Sequence, residues 1–416
     1  MINEKSLEAV KAAGWSSEFC RPLYESYCFS KIPGTILNLF GKKSAGLPQD
    51  CWVKGPYESV VLFVVDGFGW DLLEKYHAKY PFLSSFFRQG IVSKLTSQFP
   101  STTAAHITTL CSGSEVGQTG IYEWFYYEPQ LDRVIAPLLY SYAGDKKCGT
   151  LQKVIAPEKI FPDETLFQKL QSEGISSYIF QPKDIAFSIY SNWMFRGSEV
   201  TGYDRFSKSL SSVLKMVERG GLFYVYFGDI DGAGHHHGMD SKEFAKALDE
   251  CFDAMEDFWE RLSQMNLNVA TLLTADHGMT PIDPATTIFL NREIPALESM
   301  IKKGADGRLL TPAGSCRDYF LHVEPGKLDE AKILLTQTLG KRALICETDQ
   351  LVQEGFFGSK VSKEFLKRVG NLVILPYGNH SIWWYEKDRF DQKFYAMHGG
   401  LTRPEMETIF LFHPKI

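Results

Sequence analysis

The sequence predicts an α/β fold with a mostly parallel central sheet flanked by helices on both faces and an inserted cap subdomain. Three observations carry this: apolar β-branched runs recur along the chain, each ends in a polar cluster, and amphipathic helical stretches lie between them. A parallel strand is covered on both faces, so it reads as a continuous apolar run. Ligands of such sheets bind beyond the carboxyl ends of the strands.

Four segments meet the strand description. Ser59–Val65 runs into Asp66-Gly67, Ile175–Phe180 into Gln181-Pro182, Gly221–Phe227 into Gly228-Asp229, and Asn268–Thr274 into Ala275-Asp276-His277. Between the last two, Ser241–Leu262 places Phe244, Leu248, Phe252, Met255 and Trp259 at the spacing of a helix buried along one face. Strand and helix thus alternate, the pattern of a sheet with helices on both sides.

From about Pro281 the rhythm breaks. A Gly- and Pro-marked stretch, Pro312-Ala-Gly314, precedes an alternating run from Tyr319 to Val323. With 416 residues the chain exceeds what one simple core supports, so a division is expected. Residues 1–54 form an N-terminal wrapping segment, 55–280 and 372–416 the catalytic domain, and 281–371 an inserted cap subdomain.

Composition narrows the partners. Lys plus Arg number 44 against 50 Asp plus Glu, a net charge of −6, without a like-charge run of the kind that grips nucleic acid. The first fifteen residues lack the apolar core of a secretory signal, and no run approaches the roughly 20 apolar residues that span a bilayer. Eight scattered cysteines without a CxxC pair read as thiols of a reducing compartment, so a cytoplasmic protein without membrane insertion is expected. The sequence assigns no oligomeric state.

The chemistry lies at the strand ends. Asp231-Gly-Ala-Gly-His235 puts a carboxylate and an imidazole four residues apart, where both can meet one divalent cation. The following His236 and His237 leave surface decoration as an alternative for the triplet. Asp276-His277-Gly278 pairs an anion with an imidazole, although alone it reads equally as a helix cap beside a turn glycine. Asp66-Gly67 repeats the arrangement on another strand. His398-Gly399-Gly400 offers the third ligand that Asp231 and His235 lack. Mixed oxygen and nitrogen donors favour zinc, with manganese as the alternative.

A hydroxyl nucleophile is available in Pro100-Ser-Thr-Thr103, where a loop gives way to an Ala-containing helix. Free N–H groups at a helix start stabilise oxyanions, although Ser and Thr are also ordinary N-caps.

Asp66-Gly67, the Pro-Ser-Thr-Thr segment, Asp231xxxHis235xxGly238, Asp276-His277-Gly278 and His398-Gly399 occur in an order that resembles the type I phosphodiesterase and nucleotide pyrophosphatase family of the alkaline phosphatase superfamily. The resemblance spans about residues 58 to 400. It implies two divalent metal ions, one on Asp231, His235 and His398, the other on Asp66, Asp276, His277 and the Thr103 oxygen. It also implies a small-molecule phosphate diester or nucleotide pyrophosphate as substrate and a phospho-threonine intermediate. The family places a glycine ten residues after the nucleophile; Gly113 stands there when counted from Thr103, which selects Thr103 over Thr102.

Two departures bear on the substrate. Ala104 stands where nucleotide-cleaving members carry an aromatic that stacks on the base, so selectivity among bases is expected to be weak. Trp124 stands where they carry an Asn that donates to the phosphoryl oxygen. Trp124 belongs to an aromatic block, Tyr122–Tyr127, and is the member expected beside the site; core packing accounts equally well for half of the others.

The alternative within the superfamily is a phosphomonoesterase or a phosphonate or sulfate ester hydrolase. The sulfatase form is disfavoured, because its Cys-x-Pro-x-Arg signature fails at Cys20-Arg-Pro-Leu-Tyr24, where Tyr replaces Arg. A ligand-binding pseudoenzyme is the reading from another class. It is disfavoured because six ligand positions and the threonine all remain.

Overall fold

The computed structural model describes residues 1–16 and 18–415. Its main sheet has seven strands: β1 (Ser59–Val65), β2 (Ile91–Thr96), β3 (Ser177–Pro182), β4 (Glu199–Tyr203), β5 (Gly221–Phe227), β6 (Val269–Thr274) and β7 (Glu407–Lys415). They lie in the order β2-β7-β6-β1-β5-β3-β4. The contacts of β1 with β5 and β6, of β5 with β3 and of β3 with β4 are parallel. Strand β7 runs against both β2 and β6. The sheet is therefore mostly parallel, as expected, with one reversed strand that the apolar runs did not signal.

Alternation along β1 explains the layers. Val60, Leu62 and Val64 enter one apolar cluster, while Val61, Phe63 and Val65 enter the other, and all six are fully buried. Both faces therefore need helices. Helix α1 (Thr103–Ser112) covers the first face through Ala105 and Leu110. Helix α3 (Lys242–Gln264) covers the second through Phe244, Leu248, Phe252 and Met255. It starts where Ser241 accepts the backbone N–H of Phe244 at 3.1 Å, a standard N-cap. Trp259, expected on the buried face, is only partly buried there.

Within the first 54 residues, the chain meets the β2 edge at two places, where the backbone N–H of Asn3 donates to the Val92 carbonyl and where Cys28 bridges Thr96. A second, antiparallel sheet takes Ala313–Gly314, Tyr319–Leu321, Leu372–Pro376 and Ala343–Glu347 in that spatial order, with a helix at Leu328–Leu339. Its third strand follows immediately after residue 371, where the catalytic domain was expected to resume. Among the described residues, no helix is long and apolar enough to cross a membrane.

Candidate metal centre and active site

The ends of β1, β5 and β6 sit side by side, because Ser59 pairs in register with both Gly221 and Val269. Whatever follows these strands must converge. After β1 the chain turns at Gly67 (φ +71°), where a Cβ would press within 3.1 Å of Asp231. After β5 it enters helix α2 (Asp229–His237). After β6 it reaches Asp276 and His277, both fully buried.

Two clusters result, Asp66 with Asp276 and His277, and Asp231 with His235 and His398; within each, the donor atoms lie within 4.8 Å of one another. The clusters adjoin: the rings of His277 and His398 stack with centroids 3.6 Å apart. Of the histidine triplet, only His235 joins a cluster, while His236 and His237 are exposed. Asp229, also at a strand end, is exposed as well.

Each of the three imidazoles is oriented by a backbone carbonyl. The Nδ1–H groups of His235, His277 and His398 donate to Ala396 (2.7 Å), Gly278 (3.0 Å) and Ser101 (2.9 Å). That leaves Nε2 to face the carboxylates: His235 lies 3.1 Å from Asp231, and His277 lies 3.2 Å from Asp276 and 3.4 Å from Asp66. Imidazoles fixed through one nitrogen and aimed with the other are the usual preparation of metal ligands. Asp231 Oδ1 is buried without a hydrogen-bond partner, and Asp276 Oδ2, also buried, meets the His277 Nε2 at 3.2 Å. An orphaned carboxylate oxygen such as Asp231 Oδ1 is costly unless a cation satisfies it. The donor set therefore fits divalent ions, and its oxygen and nitrogen mixture fits zinc.

The electrostatics agree. Burial, then the charges of Asp276 and Asp231, push the Asp66 carboxyl well above its usual range. Burial works against a charged His277, but Asp276, Asp66 and Asp231 outweigh it and hold the imidazole up at about 10. Burial likewise opposes the Asp231 carboxylate, yet His235 and His398 bring it down to about 2. Burial, reinforced by His277, lowers His398 to about 3. Three carboxylates gathered in one buried space call for positive charge.

Thr103 opens helix α1 against this space. Its Oγ lies 3.1 Å from His277 Nε2 and 3.5 Å from Asp66 Oδ1. Thr102 is the N-cap and its hydroxyl is engaged elsewhere, donating to the Tyr122 carbonyl at 3.1 Å and accepting from Ala105. The two threonines thus face different ways.

Trp124 is 40% exposed and lines two cavities together with Thr103 and Asp231. The first, about 580 Å³, has Leu138, Leu139, Phe187 and Ile189 in its wall. The second, about 470 Å³, lies toward the residues near 315 and 390. Elsewhere in the aromatic block, Tyr122 and Tyr126 are core residues stacked at 5.4 Å.

Several residues around the centre escaped the sequence reading. The Tyr226 hydroxyl donates to Asp66 Oδ2. Its signal was the register, because Tyr226 pairs with Val64, two residues before Asp66. Glu123 and Asp318 are buried carboxyls that act on one another, and burial raises the Glu123 carboxyl to about 8. The Asp318 carboxylate also accepts from the Ser315 hydroxyl, which reaches the His398 carbonyl at 3.3 Å. No local pattern announces a contact between residues 123 and 318.

A mostly parallel sheet with acidic and imidazole clusters beyond its central strands, and a helix-start hydroxyl beside one of them, is the arrangement of an alkaline phosphatase-like fold. The sequence profile of the type I phosphodiesterase / nucleotide pyrophosphatase family matches residues 60–401, and the chain belongs to that family. Ectonucleotide pyrophosphatase/phosphodiesterase family member 3 of Rattus norvegicus is 24% identical over 261 residues, 61% of this chain and 28% of that protein. The Mus musculus protein of the same name is 24% identical over 262 residues, with the same coverage. The chain thus matches little more than a quarter of these relatives' length. Among solved structures, murine ectonucleotide pyrophosphatase/phosphodiesterase 5 superposes with a TM-score of 0.64 at 19% identity, covering 85% of this chain and 87% of that one. Phosphonoacetate hydrolase from Sinorhizobium meliloti 1021 gives 0.62 at 16% identity, covering 86% and 90%. These likenesses show the fold.

Proposed function

We propose that the chain is a two-metal hydrolase of phosphate diesters or nucleotide pyrophosphates and works through a phospho-threonine at Thr103. The observation that carries the reading is the position of the Thr103 hydroxyl, within reach of His277 and Asp66 at the junction of the two clusters. Asp231, His235 and His398 would hold one ion, and Asp66, Asp276, His277 and the Thr103 oxygen the other. Zinc is favoured by the donor set, with manganese as the alternative. When bound, the ions stabilise the alkoxide form of a hydroxyl and neutralise phosphoryl charge.

The chain's own residues do the rest. Thr103 Oγ releases its proton to water and attacks phosphorus, the ester oxygen departs with its electron pair and takes a proton from water, and a second water then cleaves the Oγ–P bond and returns a proton to Oγ. The helix start at Thr103 directs N–H groups at the phosphoryl oxygens, a role supported by the displacement of the family's Asn by Trp124. Tyr226 holds Asp66 by one oxygen, leaving the other turned toward Thr103 and His277.

All eight cysteines are free, seven of them buried, which supports a reducing, cytoplasmic setting. The superposition with phosphonoacetate hydrolase keeps a phosphonate substrate as the second reading. Rapid acid quench of zinc-loaded enzyme turning over a phosphorus-labelled diester tests the primary one. Label on Thr103 is expected; label on another residue, or hydrolysis without any labelled protein intermediate, defeats it.

A further inference from the structure

The cavity of about 470 Å³ differs from its neighbour in what borders it. His235 and His398 line this cavity, whereas Asp66 lines the larger one, and Thr103, Trp124 and Asp231 border both. Thr103 Oγ is held on the Asp66 and His277 side. In-line displacement places the departing oxygen opposite the attacking one. It must therefore leave toward Asp231, His235 and His398, and the group attached to it enters the smaller cavity.

That cavity is walled by rings. Phe125 lies 6.4 Å from Trp124, 5.8 Å from Phe390 and 6.3 Å from Trp383 between centroids, and Phe394 closes against His235 at 5.0 Å. The polar groups of the far wall are already engaged. Arg389 pairs with Glu386 at 2.6 Å, donates to the Ala143 carbonyl at 2.9 Å and lies over the Phe390 ring. Gln392 donates to Cys316 Sγ at 3.1 Å. The Asp391 carboxylate on the same wall pairs with Lys393 at 3.5 Å, so this pair offers no free positive charge. An engaged guanidinium, a paired carboxylate and a continuous aromatic surface receive an uncharged planar group and disfavour an anion.

Resting on the diesterase reading above, we infer that this cavity is a leaving-group subsite for an uncharged aromatic alcohol, with Trp124 as the wall separating it from the cavity that takes the other ester arm. The enzyme is then a diesterase for aryl-type leaving groups rather than one that expels pyrophosphate or another anion. In the step itself, Thr103 Oγ gives its proton to water and the Oγ–P bond forms as the P–O bond to the aryl alcohol breaks. The alcohol leaves with the electron pair and a proton from water, and hydrolysis of Oγ–P releases the phosphate monoester and restores the threonine.

The test uses full-length zinc-loaded protein and methyl phosphodiesters of phenol, 2-naphthol and 4-hydroxybenzoate, with calorimetry of free 2-naphthol on the metal-free protein as a second readout. Wild type is expected to favour the naphthyl ester over both the phenyl and the carboxylate-bearing ester, over the latter by roughly tenfold or more in kcat/KM. Phe390→Ala and Phe394→Ala should each erase most of the naphthyl advantage over phenyl and weaken naphthol binding, whereas Phe187→Ala in the larger cavity should leave both unchanged. An advantage that survives the first two substitutions, or that falls with Phe187→Ala, overturns the assignment. Failure to hydrolyse any diester would instead defeat the proposed activity, and naphthol binding, lost or kept in Phe390→Ala, would still decide the subsite.

Discussion

His277 Nε2 lies 3.1 Å from Thr103 Oγ, while the hydroxyl of Thr102, one residue earlier, is turned to the Tyr122 carbonyl. Adjacent hydroxyls with opposite aims separate a chemical from a structural role. Thr103→Ala should lower kcat by more than about a thousandfold while metal stays bound, and Thr103→Ser should retain part of the activity through an equivalent hydroxyl. Thr102→Ala should keep most of the activity and cost about 1 kcal/mol of stability through the lost N-cap. Steady-state kinetics and chemical denaturation of the three variants check this; loss of activity in Thr102→Ala alone would reverse the register.

Six side chains able to ligate a metal, in two clusters, exceed what one tetrahedral ion accepts. Elemental analysis of zinc-saturated protein should therefore give about two ions per chain. His398→Ala should empty one position and Asp276→Ala the other, each leaving about one ion. Saturation at one ion in the wild type would remove the two-metal reading.

The weak base selectivity expected from Ala104 can be measured directly. Ala104 is buried and its methyl presents no ring to a substrate. Adenine and uracil substrates should differ in kcat/KM by less than about 100-fold, or roughly 2.7 kcal/mol. A larger ratio would reveal a dedicated base pocket.

Strands β1, β5 and β6 were legible because burial on both faces leaves an uninterrupted apolar run. The same signal does not say which sheet a strand joins. Leu372–Pro376 is such a run, yet it pairs antiparallel with Tyr319–Leu321 and Ala343–Glu347 in the small sheet. Strand β7 carries Thr408, His413 and Pro414 and went unassigned, although it lies between β2 and β6. In the site, the residues at strand ends could be read because the carboxyl edge of a parallel sheet gathers them. Tyr226 needed the pairing of β1 with β5, and Glu123 and Asp318 could not be read, because they act through contacts between segments far apart in the chain.

His106 gives a pH dependence with a definite sign. It is fully buried, its Nδ1–H donates to the Thr102 carbonyl at 2.7 Å, and its Nε2 accepts from Gln98 at 2.8 Å, so the neutral ring is satisfied. Burial lowers it from 6.5 to about 4. The unfolded chain therefore takes up this proton first, and the stabilisation, full above pH 6.5, is lost as pH falls toward 4. Denaturation of wild type and His106→Gln at pH 7.5 and pH 5 should show the gap between them narrowing by about 2 kcal/mol at the lower pH. A gap that widens on acidification would contradict the assignment.

Arg317 and Glu405 are both fully buried and joined through two bonds, Nε to Oε1 at 3.0 Å and Nη2 to Oε2 at 2.9 Å. Glu405 also accepts the backbone N–H of Gly400 at 3.0 Å, two residues beyond His398. Arg317, next to the small sheet, thereby braces the loop that carries a candidate ligand. Removing one member of a buried pair leaves the other uncompensated, so Arg317→Met should cost about 3–5 kcal/mol. Replacing both, with Arg317→Met and Glu405→Leu together, should recover much of that stability, because the stranded charge is gone. The double variant still lacks the acceptor for Gly400, so His398 should be held less firmly. Zinc affinity at Asp231, His235 and His398 should then fall by roughly 10- to 100-fold, the usual effect of losing a group that orients a ligand, while the ion at Asp66, Asp276 and His277 stays. Zinc titration of the refolded double variant checks this: equal loss at both positions, or none at either, would show that the pair serves stability alone.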